Sequence, residues 1–314
     1  MTRPIQFGLF QPQVGLPFPA ISERALACEE AGFHSIWVTD HMWVGGLPQV
    51  DFLEGWTLMS ALAAATNTIR IGSLVMCNSF RNPAFLAKMA ASLDNISQGR
   101  LELGLGAGWM KAEYLGYGYE FPSGGTRANQ LREGVEIIKK MFTEEKASYQ
   151  GEHYTISNAY NNPKPVQQPY PPITIGAAAE RKMLKTVAQH ADRWNCPAAV
   201  AHRLEKKWGV ITEHCNAVGR DPQEIEISEQ VVVVLGKDEP AFEAKWPIAK
   251  KTLGRLADLD RTALRGTPAQ VIEGIKEKNA KGVSLFTMVF SDTAQDDFLD
   301  SLELFASEVM PAFR

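Results

Sequence analysis

The stretch Leu101-Glu102-Leu103-Gly104-Leu105-Gly106-Ala107-Gly108-Trp109 runs from an apolar strand directly into three glycines at alternate positions and a tryptophan. Glycine has no Cβ and adopts positive φ freely, so main-chain N–H groups in such a loop can approach a bound molecule closely. A tight turn between a strand and a helix uses the same glycines. The stretch therefore predicts a strand end at which the backbone meets either a ligand or a neighbouring helix.

Short β-type runs alternate with helical patterns on both sides of this loop, which predicts βα units around a parallel sheet. The predicted strands are Ile5–Phe10, Ser35–Thr39, Ile69–Met76, Leu101–Leu105, Ile173–Ile175, Arg193–Cys196, Ile225–Leu235 and Leu285–Phe290. The predicted helices are Ala20–Ala31, Gly55–Ala65, Pro83–Ile96, Arg127–Phe142, Glu180–His190, Ala201–Val218, Pro268–Lys281 and Ala294–Val309. Eight such pairs predict an α/β fold, a closed (β/α)8 TIM barrel, in a single domain over residues 1–314.

A doubly wound sheet is the competing architecture, but its glycine loop normally follows the first strand, whereas here the loop follows the fourth. Two segments interrupt the alternation, Trp109–Thr126 and Ser148–Pro172, and the second of them begins with a hairpin pattern. In a barrel, both are expected as insertions over the C-terminal rim. The sequence contains no internal repeat and no linker that would divide it.

The composition is ordinary for a soluble enzyme: 45% of the 314 residues are hydrophobic, 22% are charged and the formal net charge is −4. This balance offers no basic face for nucleic acid. The four cysteines are widely spaced, without metal-ligand or disulfide patterns, so we expect reduced thiols and no metal. Met1–Ile5 does not resemble a leader, and no apolar run is long enough for a membrane span, so we expect a cytoplasmic protein.

Ligands of a TIM barrel bind at the carboxyl ends of its strands, where the second predicted strand is followed by Asp40, His41 and Trp43. A histidine near neutrality can exchange a proton with a redox-active ring or with its substrate. The alternative is an Asp-His pair that only caps the loop. Leu74 and Val75, at the end of the third strand, would lie under a cofactor ring or belong to the core.

Small residues, Gly176, Ala177 and Ala178, follow the fifth strand and open a predicted helix. Free N–H groups and the helix dipole at such a start favour a phosphate, and Arg181, Lys182 and Lys185 would add positive charge. Tight packing alone is the alternative. Hydrolase and phosphate-loop motifs are absent from the sequence. The other candidate histidines, for which we expect packing or surface roles, are His153, His190, His202 and His214.

Four segments, taken in this order and spacing, resemble the bacterial luciferase-like flavin oxidoreductase superfamily over nearly the whole chain. They are Trp37–His41, Arg81–Pro83, Ile96–Trp109 and Ala191–Asn195. Asp-His after the second strand and Gly-Leu-Gly-Ala-Gly-Trp after the fourth are similar to the branch that uses the 8-hydroxy-5-deazaflavin coenzyme F420. Members that use FMN more often show Glu-His at the first of these sites. The resemblance also implies a homodimer.

The resemblance implies a role for each candidate residue. Asp40 and His41 would lie at the polar edge or reactive carbon of the deazaflavin, and Leu74–Val75 would form a non-prolyl cis peptide against its ring. Arg127 would anchor the glycine loop or contact the cofactor tail. The cofactor-binding residues would be Gly106, Ala107 and Gly108 at the ring and ribityl chain, with Gly176, Ala177 and Ala178 at the phosphate.

One departure concerns the substrate. The family's sugar-phosphate dehydrogenases carry a glutamate directly after the loop glycine, where this chain has Trp109, so we do not expect glucose-6-phosphate oxidation. Trp43, Phe80, Trp109 and the Tyr114–Tyr119 segment would instead form an aromatic pocket for a flat or apolar small molecule.

The leading hypothesis is hydride transfer between F420 and a small organic substrate, with His41 handling the proton. The alternative is an FMNH2-dependent two-component monooxygenase that uses O2 and receives reduced cofactor from a separate reductase. A member that binds flavin without turnover is a third possibility. A 5-deazaflavin does not form the oxygen adduct on which monooxygenation depends, so oxygen consumption distinguishes the first two.

Overall fold

A computed structural model describes residues 3–314, so Met1 and Thr2 of the Met1–Ile5 segment lie outside the described residues. Parallel strands close a barrel, and helices cover its outside. The strands are β1 Gln6–Phe10, β2 Ser35–Val38, β3 Arg70–Ser73, β4 Met76–Cys77, β5 Leu101–Gly106, β6 Ala147–Gln150, β7 Thr155–Ala159, β8 Ile173–Gly176, β9 Arg193–Cys196, β10 Glu226–Leu235, β11 Leu264–Gly266 and β12 Val283–Phe290.

Strand pairing confirms the predicted TIM barrel within residues 3–314. Around the barrel the order is β1, β2, β3 with β4, β5, β8, β9, β10 and β12, and the pairing of β12 with β1 closes the ring. Every neighbouring pair in this ring is parallel. The carboxyl ends of all these strands therefore meet at one rim, where the loops that follow them lie close together.

Helices connect the strands and bury one face of each against the barrel. They are α1 Phe18–Glu30, α2 Gly55–Ala65, α3 Pro83–Ile96, α4 Lys111–Gly116, α5 Gly124–Thr143, α6 Met183–His190, α7 Leu204–Val218, α8 Glu239–Leu253, α9 Leu259–Thr262, α10 Pro268–Ala280 and α11 Gln295–Glu308. Helix α10 starts at Pro268 as predicted. Thr267 is its N-cap, and the Gln270 side chain accepts a hydrogen bond from the Thr267 N–H. No helix in residues 3–314 has the length and apolar character needed to cross a bilayer.

The predicted third strand, Ile69–Met76, is wrong as one continuous element. It is interrupted at Leu74–Val75, whose peptide bond is cis, so that β3 and β4 are separate. Gly72 pairs with Glu102 and Met76 pairs with Leu105, so four steps on one strand face three on the other. This extra residue is the arrangement of a β-bulge.

The chain between the predicted seventh strand and the helix at Pro268 is more ordered than the sequence indicated. It contains α8, α9 and the short strand β11, which pairs with the carboxyl end of β10. The α8 pattern was hidden because it carries an internal proline, Pro247, and buries only Ala249 fully. A surface helix with so narrow an apolar stripe gives little periodic signal.

The predicted hairpin in Ser148–Pro172 is confirmed as β6 and β7, but no residue of this segment lines the cavity described below. The buried Glu133 carboxylate of α5 accepts hydrogen bonds from the main-chain N–H groups of Glu152, His153 and Tyr154. The hairpin therefore lies against α5. The side-chain atoms of Glu133, Glu152 and His153 that could bind a metal ion lie within 4.8 Å of one another. The Glu133 carboxylate, however, already accepts the three main-chain hydrogen bonds of the hairpin.

The opposite end of the barrel is closed by buried ion pairs. Arg193, the first residue of β9, contacts Glu102 of β5 and Glu226 of β10, each at 2.6 Å. Arg70 reaches the other oxygen of Glu102. Ions buried at this depth require such complete pairing. The cavity described below lies at the other end of the barrel, at the carboxyl ends of the strands.

Candidate active site

A cavity of about 460 Å³ opens at the carboxyl ends of the barrel strands. Its walls come from the segment between β3 and β4, the loops after β2, β4, β5, β8 and β9, and Gln230 inside β10, together with α4 and the start of α5. The predicted site residues that line it are Asp40, His41, Leu74, Val75, Phe80, Gly106, Ala107, Gly108, Trp109, Gly176, Ala177 and Ala178. Trp43 is the one predicted site residue outside this lining.

Val75 forms the floor of the cavity against two glycines. A Cβ at Gly106 would overlap the Val75 side chain, and a Cβ at Gly176 would lie 2.9 Å from it, which is closer than carbon atoms normally approach. Two neighbouring strand ends, those of β5 and β8, therefore need glycine so that the Val75 side chain can lie between them. The Val75 side chain therefore presents an apolar surface to the cavity, with the backbone of Gly106 and Gly176 beside it.

The glycine loop after β5 is held by two side chains. The Tyr114 hydroxyl donates to the carbonyl of Ala107 at 3.3 Å, and Arg127 Nε donates to the carbonyl of Gly108 at 3.3 Å. Gly108 has a φ of +74°, and its missing side chain leaves room for the Tyr114 hydroxyl. Arg127, whose guanidinium lies 4.0 Å above the Phe121 ring, therefore contacts the loop directly.

Asp40 is buried and fully occupied by protein donors. Its carboxylate accepts a hydrogen bond from the Cys77 N–H at 2.7 Å and two from the Arg81 guanidinium at 2.8 and 2.9 Å. Burial raises the pKa of Asp40, and the Arg81 charge opposes that shift. The Asp40 carboxylate thus fixes the loop after β2 to the loop after β4, beside the cavity.

His41 is paired with a carboxylate that the sequence did not reveal. Its Nδ1 lies 2.9 Å from Oε2 of Glu113, and the other Glu113 oxygen accepts the Met42 N–H at 2.6 Å. Glu113 belongs to α4, inside the segment Trp109–Thr126 that was predicted to be irregular. The apolar side chains of Met110 and Tyr114, four residues apart, are the one helical signal there, and they put Glu113 beside the buried face.

Two amides inside neighbouring strands line the cavity away from His41. Asn195 belongs to β9, which lies four positions from β2 around the ring of eight and so faces it across the barrel, and Gln230 belongs to the adjacent β10. Asn195 Nδ2 donates to the Ser228 hydroxyl at 3.0 Å, and Gln230 Oε1 accepts the Ala198 N–H at 3.3 Å. These bonds leave Asn195 Oδ1 and Gln230 Nε2 for a ligand. Polar residues inside strands carry no special pattern, so sequence reasoning missed both.

The predicted phosphate site is not a helix start. Helix α6 begins at Met183 rather than Glu180. Ala177 extends the strand ladder by donating its N–H to the Asn195 carbonyl at 3.4 Å, and residues 180–182 form a turn ahead of the helix. Gly176, Ala177 and Ala178 still line the cavity, and the Ala178 carbonyl accepts a hydrogen bond from Lys207 at 2.6 Å.

The basic residues expected near a phosphate are directed elsewhere. Lys182 donates to the Gly125 carbonyl and to the Asn129 side chain. Neither Arg181 nor Lys185 lines the cavity. Within residues 3–314, Arg127 is the one lysine or arginine in the lining, so the cavity itself carries little positive charge.

Aromatic side chains cover the other side of the cavity. Phe80 packs on Tyr114 with ring centroids 5.1 Å apart, and both line the cavity. Trp109 lies at the mouth, 69% exposed, with its ring edge-on to His41 at 5.7 Å. Trp43 instead stacks on Tyr117 at 5.6 Å, because Gly116 leaves room for its indole. Trp43 therefore packs against the insertion after β5 and does not line the cavity.

Residues 5–256 match the family model described as luciferase-like monooxygenase. An F420-dependent glucose-6-phosphate dehydrogenase of Gordonia bronchialis is 31% identical over 310 residues, which cover 90% of each chain. An FMNH2-dependent dimethylsulfone monooxygenase of Pseudomonas putida is 27% identical, over 100% of this chain and 96% of its own. The solved structure of an F420-dependent secondary alcohol dehydrogenase with an F420–acetone adduct matches with a TM-score of 0.83 over 99% of both chains at 21% identity.

Proposed function

The chain belongs to the luciferase-like monooxygenase family and is a flavin- or deazaflavin-dependent oxidoreductase, and on that premise we propose that it transfers hydride between coenzyme F420 and a small uncharged organic molecule. The observation that carries this proposal is the flat apolar floor of Val75 between two glycines, with His41 at the edge of the same cavity. The Asp40–His41 pair and Trp109 after the glycine loop support the F420 branch, as does the Gordonia bronchialis relative.

The residues present fit a flat ring system with a polar tail. Gly106 and Gly176 let the Val75 side chain lie between the ends of β5 and β8, so a planar ring would contact the apolar surface of Val75. Asn195 and Gln230 offer an acceptor and a donor on the far wall. The loop Gly176–Ala178 and Arg127 would hold a phosphate of the tail. A cavity of about 460 Å³ is in the usual range for sites that enclose much of a small ligand.

In this proposal, the bound deazaflavin supplies the hydride chemistry at its C5 carbon, and the chain supplies orientation and proton transfer. His41 takes the proton from a substrate hydroxyl or returns it to a carbonyl oxygen. Asp40, through Arg81 and Cys77, keeps the loop that carries His41 in place. The buried Phe80 ring makes one wall of the cavity apolar, and Trp109 lies at its mouth.

The proposed substrate is uncharged because the cavity holds a single cation, Arg127, which already serves the glycine loop. A sugar phosphate would need further positive charge at the mouth. The exposed indole of Trp109 occupies that region and favours an apolar or flat molecule. A secondary alcohol, a ketone or an activated alkene belongs to this class.

Titration of the purified protein with oxidised F420 and, separately, with FMN tests the cofactor assignment, with tryptophan fluorescence as the readout. We expect F420 to bind at least ~10-fold more tightly than FMN, a difference of about 1.4 kcal/mol. The reverse preference would overturn the proposal. Binding of neither would overturn the assignment of the cavity itself.

FMNH2-dependent monooxygenation is the second candidate, and the Pseudomonas putida relative, which matches the whole chain, favours it. Oxygen uptake by the protein with reduced FMN and candidate substrates would establish this activity. In this case a separate reductase would supply the reduced FMN. The homodimer and the cytoplasmic location stay predictions.

A further inference from the structure

Helix α4 delivers a buried carboxylate to the one histidine in the cavity. We propose that Glu113 is a positioning residue that fixes the tautomer of His41, so that Nδ1 carries the hydrogen and Nε2 exchanges the proton with the substrate. The inference rests on the proposed function in one respect only, that the substrate is the group which exchanges a proton with Nε2. The tautomer itself is a property of the protein without cofactor.

The hydrogen bonds around Glu113 determine which nitrogen carries the hydrogen. A carboxylate can only accept, and each Glu113 oxygen has one neighbour: Met42 N–H at 2.6 Å and His41 Nδ1 at 2.9 Å. The Met42 N–H is a main-chain donor and cannot change its role. The Glu113 side chain is 2% exposed, so water does not replace either partner. His41 must therefore present Nδ1–H to Glu113.

The second ring nitrogen is then left as an acceptor. Among residues 3–314, no side chain or main-chain group bonds to His41 Nε2, and His41 lines the cavity with 28% of its side chain exposed. Trp109 lies edge-on to the ring, with centroids 5.7 Å apart. In substrate oxidation, the O–H proton goes to Nε2, the carbon-bound hydride goes to the oxidised cofactor, and a carbonyl remains.

Replacing Glu113 by glutamine is expected to move the hydrogen of His41 from Nδ1 to Nε2, and it keeps the number of heavy atoms unchanged. The amide has one oxygen and one NH2 group, whereas Met42 and His41 both require an acceptor. If the amide oxygen accepts from Met42, its NH2 group faces Nδ1, and His41 must move its hydrogen to Nε2. The Glu113→Gln variant therefore holds the imidazole in the tautomer that cannot take a proton at Nε2.

Long-range 1H–15N spectra of the protein labelled with 15N-histidine report the tautomer directly, at a pH where the rings are neutral and without cofactor. The His41→Gln variant identifies the His41 signal. We expect the Nδ1–H tautomer in the wild type and the Nε2–H tautomer in Glu113→Gln. Glu120→Gln is the matched control, because Glu120 is exposed on the same insertion, and it should keep the wild-type pattern.

An Nε2–H tautomer of His41 in the wild type would overturn the proposal. This measurement does not depend on whether a Glu113 variant folds. Unchanged tautomers in a folded Glu113→Gln variant, as judged by circular dichroism, would also overturn it. In the loaded enzyme, Glu113→Gln should lower kcat for substrate oxidation by ~10²-fold while the Kd for F420 changes less than about threefold. If F420 does not bind but the tautomers are as expected, the proposed function fails and the role of Glu113 stands.

Discussion

The Asp40 carboxylate and the Arg81 guanidinium are joined by two hydrogen bonds, of 2.8 and 2.9 Å, although they come from loops after different strands. Arg81 also contacts Glu54, the N-cap of α2. One guanidinium thus links the loop of His41, the loop after β4 and a helix start. Such a bidentate pair has a defined geometry as well as charge.

Asp40→Asn is expected to destabilise the fold by about 2–4 kcal/mol, because Arg81 and the Cys77 N–H lose a charged acceptor in a buried place. Chemical denaturation of the two proteins measures this difference. Asp300→Asn, at an exposed position of α11, is the control and should change stability by less than about 0.5 kcal/mol. An equal effect of the two substitutions would mean that the Asp40–Arg81 pair adds no stability.

His41→Ala is expected to lower kcat by about 10²–10⁴-fold, the usual contribution of a positioned acid or base. Cofactor affinity should change less than about threefold, because the floor of the cavity is built by Val75 and the glycines. Steady-state kinetics and fluorescence titration give the two numbers. Full activity of the variant would remove His41 from the chemistry.

Ala178→Leu is expected to weaken cofactor binding at least ~10-fold, since the added atoms enter the cavity beside the proposed phosphate loop. The stability of the protein should stay nearly unchanged, because Ala178 is only half-buried and Lys207 holds its carbonyl rather than its side chain. Ala112→Leu is the matched control on the exposed side of α4 and should bind cofactor normally. Wild-type affinity in Ala178→Leu would place the cofactor elsewhere.

Stability is expected to rise with pH between about 4 and 6.5 because of His34. Burial lowers the pKa of His34 to about 4, with smaller effects from Glu102 and Arg193. In that interval the unfolded chain binds a proton that the folded protein excludes, so lowering the pH favours unfolding. Between pH 7 and pH 5 this one group costs about 2 kcal/mol. Denaturation at both pH values should show a smaller difference in His34→Gln, and an unchanged difference would rule His34 out.

The barrel could be predicted because its signals are local and repeated. Apolar strand runs such as Leu101–Gly106 and helix starts such as Thr267–Pro268 have the same pattern wherever they occur, and eight of them in alternation leave few topologies. The strand break at Leu74–Val75 is different, because it depends on how β3 and β4 pair with β5. The sequence of the β3–β4 segment alone does not indicate that the facing segment of β5 is one residue shorter.

Some residues of the candidate site could likewise be predicted from local sequence, and others depend on contacts between distant parts of the chain. His41 and the glycine loop follow strands directly, so their place on the rim was predictable. Glu113 lies on a six-residue helix, and its partner His41 is 72 residues earlier, so only the folded chain brings them together. The predicted helix start at Glu180 is wrong, because the strand ladder reaches Ala177, whose N–H donates to the Asn195 carbonyl, and a turn precedes α6 at Met183.

The carboxylate that orients His41 is carried by the insertion after β5, the same segment that supplies Trp109 and Tyr114 to the cavity. If His41 exchanges the proton as proposed, the residue at the entrance and the carboxylate that orients the imidazole belong to one continuous segment of the chain. Transplanting residues 109–123 into a relative would be expected to transfer both properties at once, whereas point changes at Trp109 would alter selectivity and leave the imidazole in order. A mutation that reshapes the entrance by remodelling this segment would therefore also be expected to displace Glu113 from His41.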